Sequence, residues 1–240
     1  MLDFLGIGAQ KAATTWLYAQ LSRHPDVRFP AGKEVHFWDR HRERGVEWWL
    51  GLFADPRPGV RQGEITPAYA MLEVSDIAEI RKRCPDLRLF YSVRNPLERA
   101  WSAALMAVGR AELEPDEASD AWFVDHFRSR GSLARGDYVG CLQRWSSVFP
   151  REQLHVIVFD DVARDPRGVL RRLAAHLGVS SGVYDEIPDA DLRAPVHSGP
   201  ALPIRPALIP VLRALYAPRI DALVEWLGRD LPGWRASLAG

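Results

Sequence analysis

The sequence predicts an α/β fold with a central parallel sheet flanked by helices. Three observations carry that expectation. Short apolar runs without alternation recur at Leu2 to Ile7, Leu87 to Val93 and Leu154 to Phe159, as strands buried on both faces require. Stretches of helical periodicity separate them, which is the βαβ pattern of parallel sheets. The first run breaks into Gly8-Ala9-Gln10-Lys11-Ala12-Ala13-Thr14-Thr15 before Trp16 to Leu21 resumes as a helix. Strand, small-residue loop and helix start together make an anion cradle, because loop N–H groups and the positive helix end converge there.

Composition bounds the rest. At 240 residues the chain is expected to be one domain, 1–240, with a sizeable core. Its formal net charge is zero, so no global field recruits nucleic acid or an anionic membrane, and a polyanionic ligand must be held by local charge. Two cysteines, Cys84 and Cys141, make neither a disulfide framework nor a metal-ligand spacing, which points to a reducing compartment. The leading apolar run is too short for a signal peptide or membrane span, and the expected location is the cytoplasm. Only Lys11, Lys33 and Lys82 among the 31 basic residues are lysine. In so arginine-biased a chain, a lysine marks a place where a compact ammonium does what a planar guanidinium cannot.

The elements follow in order. After the first helix, His24 to Asp26 turns into a short strand at Val27 to Phe29. Residues 40–53 mix charges with Trp48, Trp49, Leu50 and Phe53 and predict one short amphipathic helix, the tryptophan pair packing in the core. Asp55 to Gly59 is a loop, and Glu64 to Tyr69 a strand end running into a turn. Ser75 to Cys84 is helical. The strand Leu87 to Val93 ends at Arg94, and Pro96 sits in the first turn of a helix reaching Val108. Glu112 to Glu117 is a solvated acidic loop. Trp122 to Arg130 and Tyr138 to Phe149 are helical, separated by Gly131 to Gly136. Pro166 to Leu177 is a helix closed by Gly178. Residues 181–206 predict a long loop, and 207–240 a helical C-terminal region interrupted by Pro210 and Pro218. Ligands of such sheets sit beyond the carboxyl ends of the strands, where Lys11 and Arg94 each follow one.

Two further segments carry chemistry. Lys33-Glu34-Val35-His36-Phe37-Trp38-Asp39 sets a lysine, a carboxylate and an imidazole between apolar residues, and Arg94-Asn95-Pro96-Leu97-Glu98-Arg99-Ala100-Trp101-Ser102 places a guanidinium and a hydroxyl about two turns apart. With these, the sequence resembles the sulfotransferases that use 3′-phosphoadenosine 5′-phosphosulfate (PAPS), in particular their heparan-sulfate branch, on a P-loop-NTPase-like fold. Lys11 to Leu17 resembles their 5′-phosphosulfate loop, K-x-G-T-T-x-L. Lys33 to Asp39 is similar to their K-E-x-H-F-F-D segment, and Arg94 to Ser102 to their 3′-phosphate motif, R-[ND]-P-x-x-R-x-x-S. Gly63 to Tyr69 resembles E-K-T-P-A-Y, and weaker similarity runs through Gly136 to Tyr138.

The resemblance implies sulfuryl transfer from PAPS to a hydroxyl, leaving 3′-phosphoadenosine 5′-phosphate (PAP), with no metal. Lys11 and the N–H groups of Ala12, Ala13, Thr14, Thr15 and Trp16 would hold the 5′-phosphosulfate, and Arg94 and Ser102 the 3′-phosphate. Glu34 would be the general base, in need of apolar walls from Val35, Phe37 and Trp38. His36 would support it or act as the base itself. Lys33 would contact the transferred group, and Tyr138 would close over the nucleotide. Arg99 reads as a helix-surface charge. Three departures stand out. Ala13 replaces a glycine, the family lysine is Ile65, and the late basic loop is missing, with the segment His197 to Arg205, and Arg205 above all, as the substitute. The absent lysine points away from a long polysaccharide and toward a small-molecule, lipid or sugar acceptor. The relatives of that branch carry an anchor that this sequence does not show.

Two rivals are weighed. A P-loop kinase or NTPase needs a glycine before its lysine and Ser or Thr after it, whereas Lys11 lies between Gln10 and Ala12. It also needs a magnesium-binding aspartate at a strand end, for which only Asp160 and Asp161 are available. A non-catalytic nucleotide binder on the same fold would have no use for both Glu34 and His36.

Overall fold

A computed structural model describes residues 1–54, 57–194, 196 and 202–237. The chain divides into two compact units, Met1–Val93 with Gln143–His197, and Arg94–Leu142 with Ser198–Gly240. The strands are β1 (Leu2–Gly8), β2 (Val27–Arg28), β3 (Arg61–Ile65), β4 (Arg88–Val93) and β5 (Leu154–Val158). All lie in the first unit, parallel throughout, in the order β2-β3-β1-β4-β5. The chain therefore winds one way from β1 to β2 and β3, then crosses to β4 and β5 on the other side. The switch falls at β1, and α/β sheets bind ligands beyond the carboxyl ends of the strands at such a switch.

The helices in chain order begin with α1 (Thr14–Leu21), α2 (Phe37–Arg40), α3 (Val46–Gly51) and α4 (Val74–Arg83). They continue with α5 (Pro96–Arg110), α6 (Asp120–Arg128), α7 (Arg130–Arg135), α8 (Tyr138–Ser146), α9 (Phe159–Arg164) and α10 (Pro166–Leu177). The last are α11 (Asp189–Arg193), α12 (Ile209–Leu227) and α13 (Pro232–Ala236). α5 starts as its sequence requires, with Pro96 at its first position and the Asn95 side chain accepting the Leu97 N–H at 3.0 Å. α10 starts on Asp165, whose carboxylate accepts the Gly168 N–H at 2.9 Å, and ends at Gly178 with φ 72°.

Four expectations are corrected. The single helix at residues 40–53 is a 3-10 turn (Arg42–Arg44) followed by α3, because Gly45 takes φ 81°, ψ 147° between them and stops the helical path. Gly131 to Gly136 is not a break between helices: it lies mostly in α7, capped by Ser129, whose hydroxyl accepts the Ser132 N–H at 3.2 Å. The long loop 181–206 holds a 3-10 turn (Gly182–Asp185) and α11. Pro218 does not interrupt α12, which runs through it. Asp55 and Pro56 of the expected loop, and His197 to Ala201 of the Pro-rich segment, lie outside the described residues.

The core of the first unit gathers Phe4, Trp16, Leu17, Phe90, Leu170 and Leu173 between the sheet, α1 and α10. Each such side chain withdrawn from water contributes about 1.5–3 kcal/mol. The second unit is helical, with α12 packed on α5 and α6. At its centre lies Arg99, fully buried, so the reading of a surface charge is wrong. One guanidinium nitrogen donates to the Ser132 carbonyl at 3.1 Å and lies 3.4 Å from the Tyr216 hydroxyl. Helix periodicity explains the error, since position 99 shares the inward face with Pro96 and Ala103.

On β5, the His155 ring stacks at 5.3 Å on His176 of α10, whose Nε2–H donates to the Leu89 carbonyl at 2.9 Å. Burial first, then the charges of His176, Arg172 and Arg151, push the His155 pKa from its ordinary 6.5 down to about 4. An unfolded chain takes up a proton at this ring below pH 6.5 that the folded chain refuses, so stability is present above that pH and lost as pH falls toward 4. The urea midpoint of the protein is expected to drop between pH 6.5 and 4 at constant ionic strength. His155→Gln is expected to show a shallower drop, and equal slopes for the two proteins would refute this assignment.

Candidate active site

The loop after β1 is shaped by two left-handed residues. Lys11 has φ 69° and Ala13 φ 62°, and alternation of this kind turns successive N–H groups toward one side as an anion nest. Gly8, at φ 142°, starts the loop where an added Cβ would come within 3.2 Å of the Pro67 carbonyl oxygen and the Ala70 side chain. The loop is tied to β4: the Ala9 N–H donates to the Ser92 carbonyl at 2.7 Å, and the Ser92 hydroxyl donates to the Ala12 carbonyl at 2.5 Å. Alanine at the N-cap makes no side-chain bond to the leading amides of α1, and amides at a helix start suit an anion. Thr14 is buried and Thr15 half-buried, and the Trp16 indole N–H donates to the Leu192 carbonyl at 2.8 Å, pinning the helix start to α11.

The second group lies on Lys33 to Asp39. Lys33 Nζ pairs with Glu34 Oε1, His36 Nε2 stands 3.1 Å from Glu34 Oε2, and His36 Nδ1 stands 3.0 Å from Asp39 Oδ2. An imidazole thus bridges two carboxylates. Asp39 is the member that the sequence reading missed; its signal was the i,i+3 spacing from His36 across the start of α2. The apolar walls expected around Glu34 are not there. Val35, Phe37 and Trp38 turn inward, while the Glu34 side chain keeps 36% of its surface exposed and is surrounded by charge. The left-handed turn at His36 explains this, since it starts α2 with Phe37 and Trp38 on the buried side and leaves the Glu34 and His36 side chains on the other.

Behind this segment stands Glu64, fully buried. Its carboxylate accepts from the Val35 N–H at 3.1 Å, the Trp49 indole N–H at 2.8 Å, the Tyr69 hydroxyl at 3.2 Å and the Thr66 hydroxyl. Burial raises its pKa, against the pull of these four donors. Trp49 therefore has two tasks, stacking on Phe37 at 5.6 Å and bonding to Glu64, whereas Trp48 is only half-buried. Ile65 points into the sheet core, so the position of the family lysine offers no charge here.

The remaining candidates belong to the second unit. Arg94, the residue after β4, pairs with Glu98 at 3.0 Å. Ser102 is half-buried on α5. Tyr138 is buried, and its hydroxyl donates to the Arg94 carbonyl at 2.8 Å, which suits fixing Arg94 rather than closing over a nucleotide. Arg205 donates to the Ala118 carbonyl at 3.0 Å and to Asp120 at 2.6 Å and covers the Phe123 ring at 4.7 Å, so it staples the α5–α6 connection where a phosphate contact was expected. Of the two aspartates considered for magnesium, Asp161 lies in α9 and pairs with Arg164. Among the described residues no helix is long and apolar enough to cross a membrane.

Comparison with known proteins gives the family and the fold. The family profile described as sulfotransferase domain matches residues 2–190, and the chain belongs to that family of transferases. It is 30% identical over 187 residues to mouse heparan sulfate glucosamine 3-O-sulfotransferase 3B1, covering 75% of this chain and 47% of that protein. It is likewise 30% identical over 183 residues to human heparan sulfate glucosamine 3-O-sulfotransferase 6, covering 75% and 53%. The chain thus spans about half the length of these relatives. The crystal structure of a sulfotransferase from Alicyclobacillus acidocaldarius superposes with a TM-score of 0.76 at 28% identity, over 98% of this chain and 99% of that one. Mouse sulfotransferase SULT7A1, complexed with PAP, shares the fold with a TM-score of 0.53 at 16% identity, over 82% and 67%.

The left-handed alanine carries a measurable cost. A Cβ at such φ costs about 1–2 kcal/mol, relieved by glycine less what glycine adds to the freedom of the unfolded chain. Ala13→Gly is expected to raise stability by up to about 1 kcal/mol in urea denaturation. A lower stability would show that Ala13 is not strained.

Proposed function

We propose that this chain is a PAPS-dependent sulfotransferase acting on a hydroxyl of a small-molecule, lipid or sugar acceptor. The observation that carries this reading is the joint presence, in one family-matched unit, of an anion nest with a lysine and a carboxylate–imidazole–carboxylate chain on the Lys33 to Asp39 segment. The residues fit the donor. Lys11, the turned amides of Ala12 and Ala13 and the leading amides of α1 suit a 5′-phosphosulfate, with the Thr14 and Thr15 hydroxyls as further donors. Arg94 and Ser102 are the candidates for the 3′-phosphate, Arg94 exchanging Glu98 for a doubly charged group that its fork matches.

PAPS supplies an activated sulfuryl group. The work of this chain is to hold the donor, to neutralise charge growing on the leaving oxygen through Lys11, and to take the proton of the acceptor hydroxyl. Glu34 is assigned that proton because its carboxylate is reachable from solvent and oriented from behind. Asp39 fixes the His36 ring by accepting Nδ1–H. The ring's Nε2 then faces Glu34 as an acceptor, and it can receive the proton once Glu34 has taken it from the hydroxyl. Lys33, paired with Glu34 here, is placed to turn to the transferred group. The acceptor class rests on the missing charge at Ile65 and on the exposure of Glu34. The protein's site of action is proposed to be the cytoplasm.

Two measurements check this reading. Calorimetry is expected to show tight, metal-independent binding of PAP that Arg94→Ala abolishes, whereas preference for ATP with magnesium would favour the kinase alternative. Glu34→Gln is expected to lower kcat by about 10²- to 10⁴-fold with PAP affinity unchanged, the range that a positioned general base supplies. Unchanged turnover would remove Glu34 as the base.

A further inference from the structure

His36 has φ 58°, a left-handed conformation that a non-glycine residue holds only when its surroundings fix it. The fixing is visible on both sides of the residue. The Val35 N–H donates to Glu64 Oε2 at 3.1 Å and reaches the Thr66 hydroxyl oxygen at 3.1 Å. The Phe37 N–H donates to the Tyr69 hydroxyl at 3.0 Å, and that hydroxyl donates in turn to Glu64 Oε1. One buried carboxylate therefore holds both amides that flank His36, the first directly and the second through a phenol. Two donors converge on each of its oxygens, and the Trp49 indole N–H closes the set from α3.

We propose that Glu64 is a positioning residue for the transfer, setting the Glu34–His36–Asp39 chain by clamping the peptide groups on either side of His36. This deepens the proposed function and rests on it for the reaction, but the clamp itself is a claim about His36. Glu64 is fully buried and its oxygens are taken by protein donors, so its effect passes through the backbone. A carboxylate is needed because only it offers four acceptor directions to four donors. Glutamine would turn an N–H₂ toward two of those donors.

The test uses the full chain with Glu64→Gln and Tyr69→Phe, the latter removing one hydroxyl from a ring whose packing stays. Three quantities are read: PAP affinity by calorimetry, kcat and KM for PAPS, and the titration midpoint of the His36 ring by NMR. The expected result is unchanged PAP affinity and KM, a His36 midpoint displaced in both variants, and kcat lower by about 10- to 100-fold, as small misplacements of catalytic groups produce. Should Glu64→Gln fail to fold, Tyr69→Phe decides alone. An unmoved His36 midpoint, or PAP affinity lost in step with activity, overturns the proposal. If the wild-type chain transfers no sulfuryl group while the midpoint still moves, the proposed function fails and the clamp stands.

Discussion

Everything in the first unit that bears on chemistry depends on how β3 ends. A strand turns successive N–H groups to opposite sides, and the last N–H of β3 and the first one after it are used on both. The Ile65 N–H donates to the Lys33 carbonyl at 2.8 Å, and the Thr66 N–H donates to the Gly6 carbonyl at 2.9 Å. One edge of β3 therefore anchors the Lys33 to Asp39 segment and the other anchors β1 just before the loop that carries Lys11. The carboxylate of Glu64, one residue earlier, adds the side-chain bonds that hold Val35 and, through Tyr69, Phe37. The loop that carries the anion nest and the segment that carries the proposed base are in this way fixed to one strand end.

The electrostatic logic is local, as a chain of zero net charge demands. Lys11 and Lys33, two of the three lysines, belong to the two anchored segments. Around His36 two carboxylates face one ammonium and one imidazole at hydrogen-bond distance, so the charges of this group are balanced within the segment itself. Elsewhere arginines act as staples. Arg205 and Arg99 both hold helices of the second unit together through carbonyls, a task for which a planar fork with several donors is suited and an ammonium less so.

Much of this was legible in the sequence, for physical reasons. Buried parallel strands are continuous apolar runs, and β1, β4 and β5 lie within a residue of the runs that predicted them. Pro96 and Gly178 marked helix ends because their backbone preferences leave few other places. The motif residues Lys11, Lys33, Glu34, His36 and Arg94 were identified by pattern. What pattern could not supply was direction. Glu34 was expected behind apolar walls and is open instead, because the chain turns at His36 and carries Phe37 and Trp38 into the core on α2. Arg99 and Arg205 were read by charge type as a surface group and a ligand contact, yet both are structural, since only the packed helices reveal which carbonyls need donors. Asp39 and Glu64 lay in plain view within recognised motifs; Asp39 gained meaning through the turn that brings it to His36, and Glu64 through contacts with a segment about thirty residues away.

The central claim is that a sulfuryl group leaves PAPS on this chain and arrives on a hydroxyl. The most direct measurement incubates the protein with PAPS and a panel of hydroxylated small molecules, lipids and sugars, and follows both products by mass spectrometry. The account predicts an acceptor heavier by one sulfuryl group, formed one for one with PAP and without added metal. PAP released only to water, or a product carrying phosphate when ATP and magnesium are supplied, would contradict it.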